Sequence, residues 1–172
     1  MFEHSRGLAQ AGLLCSLMAL APGCAGVLRD GVFTDGHTRF RVGSVPPSWE
    51  LVKLEGNDVA YISRDSPHSI AVNATCEDHD DPPLDTLTRH LLMGFTERST
   101  LDQQTFTLDD REALRTQVSA RLDGVPVELV LVVMKKDGCV YDFTYLSPPS
   151  SAGERLGDFE HLLAQFSTEA RP

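Results

Sequence analysis

The sequence predicts an α+β fold: one mostly antiparallel sheet with two packed helices, arranged as an α/β/α sandwich. Three observations lead there. Residues 38–42, 69–76 and 111–123 alternate apolar and polar side chains with the period of a strand. Two segments, 84–95 and 156–166, instead carry an apolar stripe at helical spacing. Between them, Leu129-Val130-Leu131-Val132-Val133 is apolar on both faces. A strand of that kind needs cover on both sides, which predicts helices or loops on opposite faces of the sheet.

Taken in order, the first 24 residues read as an export signal. A polar start containing Arg6 is followed by an apolar stretch from Leu8 to Leu20, then small residues and Cys24. The stretch is too short for a spanning helix, and Pro22 and Gly23 would break a buried one. Residues 1–23 are therefore expected to be a signal peptide, 24–34 a tether, 35–168 a single domain and 169–172 a tail.

Within the domain, Asp35-Gly36 turns into a strand at 38–42. Pro46-Pro47 interrupts it, and extended pieces follow at 49–54 and 59–64, joined by a turn at Gly56-Asn57-Asp58. In the strand at 69–76, Ile70, Val72 and Ala74 share one face. Pro82-Pro83 opens a helix with Leu84, Leu87, Leu91 and Phe95 on one stripe. A short strand is expected at 104–108. Strands at 111–123 and 127–135 are joined at Asp123-Gly124, a hairpin signal. Lys136-Asp137-Gly138 turns the chain into the strand at 139–146, and Pro148-Pro149 ends the sheet. Ser151 and Glu154 form a capping-box pattern ahead of a last helix lined by Leu156, Phe159, Leu163 and Phe166.

The chain has 172 residues and a net charge of −10. Removing the signal takes one acid and one base, Glu3 and Arg6, so the charge is unchanged. That balance disfavours nucleic acid and adsorption to anionic lipid as partners. Of the 4 cysteines, Cys15 falls in the signal. Cys76 and Cys139 fit either one disulfide in an oxidising compartment or two buried thiols.

A search for chemistry yields candidates rather than a site. Glu77, Asp78, Asp80 and Asp81, with His79 among them, have the oxygen ligands of a hard-cation site. They lack EF-hand spacing and read better as a solvated loop ahead of a helix start, so no metal or cofactor is expected. His37, His68, His90 and His161 read as surface histidines. There is no nucleophile elbow, phosphate loop or Cys-x-x-Cys. Trp49 is either an exposed contact for a partner or a plug at one end of the core.

Two resemblances add to this. Ala21-Pro22-Gly23-Cys24 resembles the lipobox of bacterial lipoproteins, with Ala21 in place of the usual leucine and an uncommon Pro22. The resemblance implies acylation of Cys24 and a lipid anchor in a membrane; ordinary cleavage nearby is the alternative. Ala25 rather than Asp after the cysteine points to the outer membrane by analogy with enterobacterial sorting. Second, Phe40-x-Val42 leading to Pro47-x-Trp49, the Arg111-Glu112-Ala113 strand start, the segment 136–143 and Phe159-x-x-Leu162-Leu163-x-x-Phe166 resemble the PsbP-like fold family. That family implies binding or assembly more often than catalysis. The expected function is an exported, lipid-anchored module of the bacterial cell envelope that binds another envelope protein without catalysis. The alternative is an envelope enzyme or small-ligand carrier whose site is scattered in sequence.

Overall fold

A computed structural model of the chain describes residues 26–76 and 81–169. The signal segment, Cys24, and Glu77, Asp78 and Asp80 of the acidic loop lie outside the described residues.

The main sheet has seven strands, all antiparallel. Its order is β4 (Trp49–Val52), β5 (Val59–Ser63), β6 (Ser69–Thr75), β10 (Cys139–Ser147), β9 (Val125–Lys136), β8 (Arg111–Leu122) and β7 (Thr96–Leu108). Two of its hairpins close on Asp-Gly pairs. Asp123 and Gly124 have φ of 50° and 81°, and Asp137 and Gly138 have 54° and 76°. Both central residues are left-handed, the geometry that matches strand twist in a two-residue turn.

Residues expected as a tether behave otherwise. β1 (Val27–Arg29) and β2 (Val32–Thr34) form a hairpin through Asp30-Gly31. With β3 (Arg39–Arg41) and β11 (Ser167–Thr168) they make a second, four-stranded sheet. Phe33 is the physical reason: its ring is buried and stacks on Phe40 at 5.0 Å between centroids. The domain thus begins before residue 35. At the other end Glu169 is paired with Arg39 at 2.7 Å and Arg41 at 3.1 Å, so it belongs to the domain and not to a tail.

Strand alternation sends Val130, Val132 and Met134 to one face of the main sheet and Leu129 and Leu131 to the other. The first face carries the larger core. It is covered by α2 (Leu156–Ala164) through Phe159, Leu162 and Leu163, by Phe166 just beyond it, and by Phe33, Phe40 and Val42 of the small sheet. The second face is covered by α1 (Leu84–Leu91) and the turn after it, through Leu91, Leu92 and Phe95. The architecture is thus richer in β structure than a plain α/β/α sandwich, because one covering layer is half sheet.

Other expectations are corrected locally. β7 is 13 residues long, not five, and nearly all of it is exposed. Ser151 and Glu154 do not cap α2. They sit in a 3-10 turn (Pro149–Ser151) and the loop after it, and α2 starts at Leu156 with no side-chain cap. α1 ends at Leu91, so Phe95 reaches the sheet from beyond the helix, after Gly94 at φ 89°.

Candidate binding surfaces

Trp49 is 5% exposed and plugs the core. Its indole N–H donates to Asp158 of α2 at 2.9 Å. Burial of the ring with a partnered N–H removes it as a contact for another molecule. His68 is likewise no surface residue. It is 2% exposed, stacks on Tyr145, and its Nδ1 and Nε2 meet Ser66 Oγ at 2.9 Å and the Ser151 carbonyl at 3.1 Å. Cys76 and Cys139 are joined by a disulfide. The described member of the acidic loop, Asp81, lies against the Lys135 ammonium. No helix among the described residues is long and apolar enough to cross a membrane.

Among the described residues, two surfaces are the candidates for taking another molecule. The first is the β7 edge with the groove beside it. Only one side of β7 is paired, so its other backbone N–H and C=O groups face outward. Its first half is blunted by charge and by register shifts between Thr96 and Ser99 and between Thr100 and Asp102. From Gln103 to Leu108 the pairing with β8 is regular and the edge is uncharged. Alongside runs a groove of about 630 Å³ between this hairpin and α2, lined by Gln104, Phe106, Arg115, Glu160, Leu163 and Phe166. Arg115 spans it, 3.7 Å from Asp102 and 3.9 Å from Glu160.

The second surface is a cleft of about 410 Å³ between α1 and the sheet. Leu87, Leu91, Val133, Val140 and Pro82 make it mostly apolar, with Asp142, His90 and Thr75 as its polar groups. α1 opens it by being short. Leu87, expected to dock, is only half-buried and lines the cleft instead.

Asp142 stands opposite Asn73 on β6, on the side of the sheet that α1 covers. It is 9% exposed. Asn73 accepts from the Asp58 backbone N–H at 3.1 Å and donates through Nδ2 to Asp142 Oδ1 at 3.0 Å. Asp142 Oδ2 accepts no hydrogen bond among the described residues, and Asp142 lines the cleft. Burial pushes the Asp142 carboxyl up to about 6 against the pull of the Asn73 bond, and the Asp58 carboxylate adds to the rise. Asp58 is itself raised by burial, although the Ala74 N–H holds it at 2.8 Å. Sequence reasoning missed this pair. The available signal was a lone acid in the otherwise apolar run Val140-Tyr141-Asp142-Phe143.

No protein-family model and no curated protein matches the chain by sequence. Solved structures do match in shape. The cyanobacterial PsbP (CyanoP) of Synechocystis is similar at TM-score 0.55 and 12% identity over 92% of this chain and 100% of its own. LpqN of Mycobacterium tuberculosis, described as involved in cell envelope biogenesis, is similar at TM-score 0.57 and 13% identity, over 77% of this chain and 86% of its own. A Pseudomonas aeruginosa protein of unknown function, PA94, is similar at TM-score 0.51 and 11% identity over 87% and 98%. At such identities the likeness concerns the path of the backbone, and it shows that this chain has a PsbP-like fold.

Proposed function

We propose that the chain is an exported, lipid-anchored module of the bacterial cell envelope that binds another envelope protein without catalysing a reaction on it. The observation that carries the binding role is the β7 edge. A regular, uncharged strand edge beside a partly apolar groove is what strand addition uses: main-chain bonds supply affinity and the groove supplies side-chain selection. An extended segment of the partner would pair along 103–107 and seat apolar side chains against Phe106, Leu163 and Phe166. The envelope address is supported by the signal layout before Cys24 and by the likeness to LpqN. Acylation of Cys24 would hold the module at the membrane, since each buried CH₂ is worth about 0.8 kcal/mol.

The test is photo-cross-linking in intact cells from Gln103 or Thr105 on β7, with Glu50 on the opposite edge strand as control. A discrete adduct to one envelope protein from β7 alone is expected. Equal adducts from both edges, or adducts from Glu50 only, would overturn the edge as the docking site. Cys24→Ala should shift the protein from the membrane fraction to the soluble fraction; unchanged partitioning would remove the anchor. A second reading, carriage of a small ligand, is favoured by the cleft beneath α1.

A further inference from the structure

We infer that the cleft between α1 and the sheet holds a small organic cation, a primary amine on a short apolar chain, with its ammonium on Asp142 Oδ2. This rests on reading the cleft as a ligand site and goes beyond it by naming the ligand's chemistry.

Three features point the same way. The volume, about 410 Å³, falls in the range of small-molecule sites. The walls supplied by Leu87, Leu91, Val133 and Val140 suit an alkyl or aromatic body rather than a sugar or nucleotide. The polar end is a carboxylate whose Oδ1 is fixed by Asn73 and whose Oδ2 accepts no bond among the described residues. Among the described residues no buried side-chain oxygen lacks a partner, so Oδ2 opens to the cleft and is not sealed behind it, and an ammonium is the group that would meet it with charge-assisted hydrogen bonds.

The surrounding charges agree. Asp58, behind Asn73, adds negative potential at Asp142. Lys135, whose residue on β9 pairs with Val140, is not aimed at Asp142. Its ammonium is held at the rim by Asp81 and by the Pro82 carbonyl, to which it donates at 3.0 Å. His90 lines the cleft from α1. The net charge of −10 repels anions. That repulsion argues for a free amine over the headgroup of an aminolipid, which carries a phosphate.

The experiment titrates octylamine, 1-octanol and octanoate into the exported protein, following backbone amide resonances of 87–91, 133 and 140. Octylamine should shift these resonances at pH 7 and bind at least about ten-fold tighter than octanol, the margin of one charge-assisted bond. Octanoate should bind more weakly than both. Octylamine affinity should fall about ten-fold between pH 7 and pH 5, as the ionised fraction of a group titrating at about 6 drops. His90→Gln should keep most of that pH dependence. Asp142→Asn should abolish it and equalise amine and alcohol. Vesicles of phosphatidylethanolamine should not compete; competition would overturn the free amine as the source. If octanol matches octylamine in the unaltered protein, the cleft takes ligands but the cation is wrong. If neither moves these resonances, the cation inference and the ligand-site reading both fall.

Discussion

At the scale of single residues, Asp142 is where stability and the proposed binding conflict. Its carboxyl titrates at about 6 in the folded chain, against 3.8 for an unperturbed group, so the folded state holds a proton that the unfolded state has lost. Stability must therefore fall as pH rises from about 4 to about 6 and lose no more from this group above that window. The deficit at pH 7 is on the order of 3 kcal/mol at most. Asp142→Asn keeps an acceptor for Asn73 Nδ2 and removes the charge. It should raise the melting temperature at pH 7 and flatten its pH dependence between pH 4 and 6. A lower melting temperature in the variant would mean that the carboxylate is compensated by something within the fold. Little of this was legible in the sequence. The turn at 136–138 placed residue 142 on a returning strand, but only the register against β6 brings Asn73 opposite it. Residues that touch only at long range, such as Trp49 and Asp158 or His68 and Ser151, escaped for the same reason. Trp49 left two readings open, and His68, bounded by Pro67 and serines, read as a surface histidine.

At the scale of elements, legibility followed length and two-sidedness. β6, β8, β9 and β10 were readable because each is long and has at least one buried face, so the period of two survives. The first half of β7 was not, because a strand exposed on both faces has no pattern to show. The Asp30-Gly31 hairpin carried the same turn signal as its counterparts, but strands of three residues are too short to alternate visibly. The stripe of α2 was read correctly, and its docking is testable. Phe159 is fully buried and stacks on Tyr145 at 5.7 Å. Phe159→Ala should cost about 3–5 kcal/mol, measured by denaturant unfolding. Gly43 tests the same contact from the other side. Its N–H donates to the Leu162 carbonyl at 3.1 Å, and a Cβ there would lie 2.8 Å from Leu162 Cα. The obstacle is helix backbone, which cannot swing aside as a side chain can. Gly43→Ala should therefore destabilise despite the modest volume added. An unchanged melting temperature for either variant would mean that α2 does not sit where these contacts place it.

At the scale of the whole molecule, the sheet has unequal covers. The α2 face is filled by aromatic rings, with Phe166 against Phe143 at 4.8 Å and Tyr141 at 5.3 Å. The α1 face is closed by one helix of eight residues and keeps a cleft. Within the sheet, the neighbouring strands β6 and β10 are joined where one ends and the other begins, by the disulfide between Cys76 and Cys139, which are 63 residues apart in sequence. That loop encloses α1, β7, β8 and β9, including both the cleft helix and the open edge. On the chain-entropy account, closing a loop of this length stabilises by about 4 kcal/mol, a large share of a typical domain's 5–15 kcal/mol. Such bonds persist mainly in oxidising compartments, which is the environment the proposed export would supply. Peptide mapping of the exported protein after alkylation should find positions 76 and 139 protected. If residues 1–23 direct export as proposed, the same chain made without them in a reducing cytosol should show both thiols alkylated. Its melting temperature should be lower by roughly 10 °C or more. If the exported chain is alkylated at both positions, or if reduction leaves the melting temperature in place, the bond does not hold these elements together. The cleft and the edge would then owe their shape to packing alone.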